Sequence, residues 1–427
     1  MKKHFYLVLL ALSVCLVPAC TSTEAEIDVP AEEEFVEVDE ENKAEEELAV
    51  LGELNLTANE SRAAEQIQEF NSAFFNAVLS AYSSQPNVVC SPMSASILLS
   101  MLANSGDEQL TGEIVEALGC SDIEALNSLC YKLLNDAPKM DPEVMFKSAN
   151  GIWYDERYTL NPTFEKAAKN YFSAAAFPGD FQGAPQKVTD DINAWVKENT
   201  NGIIERILSD LDPKSPSVLA NATFLKARWS AVFDEKDTKD GIFYGVNGEK
   251  TVPMMFQSAQ LRIGGNKEFK VFKKGLGYNL YDAWFIRPNI DFNSFIENFD
   301  LSEILSMERE FNVRDVDLYF PRFKIEPDVA LDLTAALESM GIESISKPTV
   351  SHLFTEAVPT SHNISQNVGL EFTEEGAEAV AATFDMSLAG NHPGLLDPTF
   401  KLDHPFIFFI REKSSGAILF AGKISDL

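Results

Sequence analysis

The chain has 427 residues, 45% of them hydrophobic, which is enough for one large packed domain and too apolar for global disorder. Its formal net charge of −32 excludes nucleic acid as a natural partner, because phosphates need a positive surface, and it speaks equally against a heparin-type polyanion. Five histidines occur, and no Gly-x-Ser-x-Gly elbow, His-Glu-x-x-His helix or phosphate-binding glycine loop accompanies them, so the chain does not read as an enzyme and no cofactor or metal is expected.

Lys2 and Lys3 precede a run, Phe5 to Val17, that is almost wholly apolar and too short for a comfortable membrane span. It fits a secretory signal over residues 1–19. Ala19-Cys20 at its end resembles a bacterial lipobox, in which the signal is cut before the cysteine and the cysteine is acylated. An ordinary signal cleaved near Ala19 would leave Cys20 incidental. Lipid attachment is the reading adopted, because a second thiol at that junction has no other evident use. Membrane contact through Cys20, at the outer membrane or cell surface after export through a bacterial inner membrane, is then expected; a soluble extracellular or periplasmic form is the alternative.

Residues 21–53 hold fourteen acidic side chains and one lysine, Lys43, a net −13. Charges this dense repel, so residues 20–59 read as an extended tether; a cation site or an export tag is the competing reading. Beyond it, residues 60–427 form one globular region with no internal repeat. Ile67, Phe70, Phe74 and Val78 share a helical face and predict a helix over Ser61–Ser83. Ser91-Pro92 reads as an N-cap with proline in the first turn, ahead of a buried helix carrying Ile97, Leu98, Met101 and Leu102. Thr111 is expected to cap a third helix that Gly119 ends. Asp190–Asn199 is a fourth.

Strands dominate the second half. Val218–Leu225 is an apolar run of buried-strand length, and Val316–Phe320 alternates until Pro321. A helix is expected over Asp328–Met340, closed by Gly341, then a strand over Asn367–Phe372. Pro405–Ile410 and Ala417–Ile424 form an apolar pair around a Ser-Ser-Gly turn. Helices first and strands later predict an α+β domain with large sheets. Cys90, Cys120 and Cys130 remain after the signal region; an odd number without a Cys-x-x-Cys points to buried thiols, with a Cys120–Cys130 bridge left open.

One stretch stands out. Glu374, Glu375, Gly376, Ala377, Glu378, Ala379, Val380, Ala381, Ala382 and Thr383 follow a strand, and alternate positions 377, 379, 381 and 383 are Ala, Ala, Ala and Thr. In a strand these share one face, small enough to slide into a sheet interior, while Glu378 faces outward. A flexible alanine-rich loop or a short helix is the plain alternative.

Several segments resemble the serpin family of serine protease inhibitors, in the family's order. They are Asn87-Val-Val-Cys-Ser-Pro-Met-Ser94, Ser148-Ala-Asn-Gly-Ile-Trp153, Leu219-Ala-Asn-Ala-Thr-Phe-Leu-Lys-Ala-Arg-Trp229, Glu374-Glu-Gly-Ala-Glu-Ala379, Asp403-His-Pro-Phe-Ile-Phe408 and Leu419-Phe-Ala-Gly-Lys423. The resemblance covers roughly residues 61 to 427. It implies the serpin fold, helices around a large central sheet with two further sheets and a reactive-centre loop at about 374–402. It implies a suicide-substrate inhibitor: a serine or cysteine endopeptidase cuts the loop, is caught as a covalent acyl-enzyme, and is dragged away as the loop inserts as a new strand. The inhibitor supplies no catalytic group and is expected to be a monomer.

By the resemblance Glu374 to Thr383 is the family's hinge, and counting from it as the family does places the scissile bond at Gly390–Asn391. The loop is longer than usual for the family, and Met386, Leu388, Ala389 and Leu395 are more attractive bait residues. No Lys or Arg occurs from Ala377 through Phe400, which points to an elastase-like or chymotrypsin-like target rather than a trypsin-like one. By resemblance the sheet-opening region comprises Ser91, Ser94, Asn221 and Gln366, with Trp229 under the top of the sheet. Gln366 stands where many members carry histidine. The alternatives are a non-inhibitory serpin acting as a binding or chaperone module, and a structural or glycan-binding surface lipoprotein.

Overall fold

A computed structural model describes residues 52–105, 108–200, 202, 204–325, 331–360, 362, 364–377 and 399–427. The first helix, Ala58–Ala81, opens ahead of the expected Ser61 because Thr57 and Glu60 form a capping box. Ile67, Phe70, Phe74 and Val78 line its buried face, as their spacing predicts. Glu60 is itself buried. Burial pushes its carboxyl up, but hydrogen bonds from Lys132 at 2.7 Å, from Ser128 and from Thr57 prevail and hold it at about 2.

Ser91 caps the second helix as expected, accepting from the Ser94 N–H, with Pro92 in its first turn. Every residue of Pro92–Ala103 is buried, so this helix is core on all faces. Thr111 does not cap the third. That helix, Glu108–Leu118, is under way by then, and the Thr111 hydroxyl donates to the Ala103 carbonyl. Gly119, at φ +65°, closes it as predicted. The helix expected over Asp190–Asn199 begins at Pro185. The expected helix over Asp328–Met340 shrinks to Thr334–Ser339. Leu331–Asp332 pair instead with Ser365–Gln366, a long-range contact that local helix propensity does not anticipate. The strand expected from Asn367 is confined to Leu370–Phe372.

Among the described residues two large sheets carry the domain. A nine-stranded sheet holds the C-terminal hairpin, Phe406–Glu412 and Ile418–Ile424, both buried at every position. Asn87–Cys90 flanks the hairpin on one side and Tyr281–Pro288 on the other. The six-stranded sheet runs in the order Phe323–Ile325, Leu370–Phe372, Gly376–Ala377, Ser217–Arg228, Val144–Asp155, Ala175–Gly179. Aromatic rings join the two sheets: Phe372 meets Phe408 at 5.4 Å and Phe285 at 5.6 Å, both edge to face. The opening strands of the second sheet therefore rest on a rigid floor.

Cys90, Cys120 and Cys130 are free and buried, and the Cys120–Cys130 bridge does not form. Burial alone raises the Cys90 thiol far above its ordinary range, and burial first of all pushes Cys130 up to about 12.

Candidate functional site: a strand gap and its hinge

Leu370–Phe372 and Ser217–Arg228 form no ladder with each other among the described residues. Two residues alone bridge them. Gly376 pairs with Arg228, and Ala377 pairs with Ala227 on one side and Phe372 on the other. The chain reaches this position by a tight reversal in which Thr373 N–H donates to the Gly376 carbonyl at 2.8 Å. A Cβ at position 376 would lie 1.9 Å from the Ala227 carbonyl oxygen, so only glycine fits there. Ala377 is fully buried.

The seat of this hinge is the turn after Arg228. Trp229 N–H donates to the Glu375 carbonyl at 2.7 Å and Phe233 N–H to the Glu374 carbonyl at 2.9 Å. The Trp229 indole Nε1–H donates to the Thr373 carbonyl at 2.9 Å, and its ring stacks on Phe372 at 5.7 Å. Three successive carbonyls, 373 to 375, are thus gripped by one five-residue turn. The Glu374 carboxylate is buried beside it, accepting from the Thr238 hydroxyl at 2.8 Å and facing Arg322 Nη1 at 3.5 Å.

Further down the gap lies a polar cluster at the head of the Pro92–Ala103 helix. Gln366 Nε2 donates to the Ser91 carbonyl at 3.0 Å, and its Oε1 accepts from the Ser91 N–H at 2.6 Å. The Ser94 hydroxyl donates to Asn221 Oδ1, which also accepts from the Thr223 hydroxyl at 2.9 Å. Asn221 Nδ2 donates to Ser148 Oγ at 3.0 Å and to Asn150 Oδ1 at 2.8 Å. This largely buried network holds a helix and two strands together without a covalent link.

Ser91, Ser94, Asn221 and Gln366 are thus linked through hydrogen bonds. Trp229 stands apart from them, at the hinge end, under the carbonyls it grips. Glu374, Glu375, Gly376 and Ala377 form the hinge turn. Glu378, Ala379, Val380, Ala381, Ala382 and Thr383 lie outside the described residues, as do Met386, Leu388, Ala389, Gly390, Asn391, Leu395 and Cys20. Ser148, Asn150 and Thr223 lie within segments that carry the resemblance but were not assigned to this cluster from sequence. Their signal was present: small polar residues at alternate positions, 148 with 150 and 221 with 223. Sequence reading also passed over Phe233, whose contribution is a backbone N–H and leaves no mark in the side-chain pattern.

The family model described as Serpin (serine protease inhibitor) matches residues 65–427. Serpin-Z3 of Arabidopsis thaliana is 31% identical over 372 residues, spanning 80% of this chain and 91% of that protein. The thermophilic serpin tengpin in its native state is similar in structure, with a TM-score of 0.77 and 25% identity over 88% of this chain and 96% of that one. Human thyroxine-binding globulin complexed with its hormone shares the fold at a TM-score of 0.76 and 24% identity, covering 85% of this chain and 99% of that one.

Proposed function

The chain belongs to the serpin family, whose members are generally protease inhibitors, and on that premise we propose that it traps a serine or cysteine endopeptidase by loop cleavage and strand insertion. The observation that carries this reading is the pair Gly376–Ala377, seated between two strands that share no ladder with each other among the described residues. Extending the register from Ala377 opposite Ala227 would bring Ala379 opposite Leu225, Ala381 opposite Thr223 and Thr383 opposite Asn221. The inserting face is small at each step, and its fourth member arrives at the polar cluster. Every added residue gains ladder hydrogen bonds worth about 0.5–1.5 kcal/mol each.

The covalent step balances simply. The target's nucleophilic oxygen or sulfur attacks the carbonyl of the bait bond. The C–N bond breaks, the departing amine takes the nucleophile's proton, and an ester or thioester joins peptidase to loop. Insertion then carries the peptidase away and disturbs the alignment of its catalytic groups, so water no longer completes the reaction. The absence of Lys and Arg from Ala377 through Phe400 supports an elastase-like or chymotrypsin-like target. The bait bond lies among Met386, Leu388, Ala389, Gly390, Asn391 and Leu395. The same reading places a monomeric inhibitor outside the cytoplasm, held to a membrane through Cys20 by the acidic tether.

The test mixes signal-free protein with elastase-like, chymotrypsin-like and papain-like peptidases. A complex that survives boiling in detergent, with a released peptide starting between Met386 and Leu396, is expected from a serine peptidase; for a cysteine target, residual activity is read as well. Clean cleavage without trapping, together with no rise in the thermal transition of the cleaved protein, would overturn strand insertion and leave a binding module.

A further inference from the structure

Lys274 is buried to 2% exposure beneath the turn that seats the hinge. Its ammonium donates to the Ala231 carbonyl at 2.7 Å and to Gln257 Oε1 at 2.6 Å, and Gln257 Nε2 donates in turn to the Val232 carbonyl at 2.6 Å. The rings of Phe233 and Trp229 cover it, at 4.5 and 5.3 Å from Nζ to their centroids. The turn thus faces two ways. Its carbonyls at 231 and 232 are held from below by Lys274 and Gln257. Its N–H groups at 229 and 233 hold the hinge carbonyls above.

No carboxylate among the described residues lies within ion-pair distance of Nζ. Lys273, next along the strand, points to the opposite face, where Asp282, Glu308 and Arg411 gather. The neighbouring strand offers Ala283 opposite Lys274, and the Gly248–Gly265 strand offers the neutral Gln257. Charged groups on the hinge side, Glu374 and Arg322 with Glu235, Lys239 and Asp240, line a separate cavity of about 360 Å³. An ammonium is therefore held on neutral dipoles and ring faces alone. Burial pushes it down to about 7 from an ordinary value of 10.5.

We propose that Lys274 is a positioning residue of loop insertion that couples proton uptake to opening of the hinge seat. When the 229–233 turn lifts, Lys274 returns to water and regains its ordinary affinity for a proton. The open seat then binds more protons than the closed one at every pH between about 7 and 10.5. Opening therefore becomes easier as pH falls from alkaline toward neutral and levels off below 7. This rests on the inhibitory reading for its purpose, since the open seat is what lets the loop run down the sheet, but the coupling itself needs no peptidase.

Amide hydrogen exchange at Trp229 and Phe233 in the uncleaved protein tests it. Protection, taken relative to intrinsic exchange at each pH, is expected to rise about fiftyfold between pH 7 and 9 and only about twofold between pH 6 and 7. In Lys274→Met the profile should be flat. In Gln257→Glu a carboxylate meets the ammonium and keeps it protonated, so the profile should again be flat over this range, at a lower level because the Val232 contact is lost. A flat wild-type profile, or a slope that persists in Lys274→Met or Gln257→Glu, overturns the proposal. A protein that shows the slope yet traps no peptidase loses the inhibitory reading and keeps this one.

Discussion

Gln366 grips Ser91 by both backbone groups at once, accepting from its N–H and donating to its carbonyl across 275 positions of sequence. This amide clasp ties the strand segment beside the gap to the residue that caps the core helix. Gln366→Leu keeps the volume roughly and leaves the Ser91 N–H unpaired in a buried place, while the Ser91 carbonyl keeps the Ala95 N–H at 3.1 Å. Losing that partner should cost about 1–3 kcal/mol and lower the unfolding midpoint of the uncleaved protein; Gln366→Glu sets a carboxylate oxygen against the Ser91 carbonyl and should cost at least as much at neutral pH.

On the proposed mechanism, Gly376→Ala should shift the chain from trapping a peptidase toward being cut as a substrate. The added Cβ meets the Ala227 carbonyl at 1.9 Å, and relieving that clash costs about 1–3 kcal/mol wherever Gly376 pairs with Arg228, the uncleaved arrangement included. Gel assays at fixed peptidase should show more cleaved protein per boil-stable complex. An unchanged ratio would mean that the pairing at 376 does not govern insertion.

The register that sets Ala377 opposite Ala227 would set Glu378 opposite Lys226 in the inserted strand. Lys226→Glu should reduce the thermal gain on cleavage by about 0.2–1 kcal/mol, and Glu378→Lys in the same chain should restore it. Restoration is the discriminating result, since Lys226→Glu alone also disturbs the uncleaved sheet.

Acid should expose the role of Glu60. Its folded value, about 2, lies below the ordinary 4.5, so its contribution is complete above about pH 4.5 and is lost as pH falls toward 2. Glu60→Gln should therefore be less stable at neutral pH and lose less on acidification. Urea midpoints at pH 7, 4 and 3 would show the two curves converging.

Cys90 and Cys130 should resist iodoacetamide at pH 8 in the folded protein and label fully in denaturant, because burial keeps both as thiols. Peptide mapping after a timed pulse would read each site separately.

The legible parts of this chain are the local ones. Ser91-Pro92 declares its helix start because cap and proline act within one turn, and the C-terminal hairpin declares itself by apolar runs about a tight turn. Thr57 escaped notice because a capping box competes with every nearby serine, and here Thr57 with Glu60 prevails over Ser61. Leu331–Asp332 read as helix because their partners, Ser365–Gln366, stand more than thirty residues away. At the hinge the side chains were readable and the backbone donors that hold them were not. Lys274 was hidden in a Lys-Lys pair, and only the sheet decides which lysine turns inward.

Trp229 gives the molecule an optical gauge. Its indole shares a hydrogen bond with Thr373 and a stacked face with Phe372, so its emission should change when the hinge moves. Of the other three tryptophans, Trp153 and Trp195 pack against each other and Phe177, and Trp284 sits on the Lys273–Arg411 charge cluster. Stopped-flow fluorescence of the unlabelled protein, with Trp229→Phe as the blank, can therefore time movement at the hinge directly, apart from any chemistry on the loop.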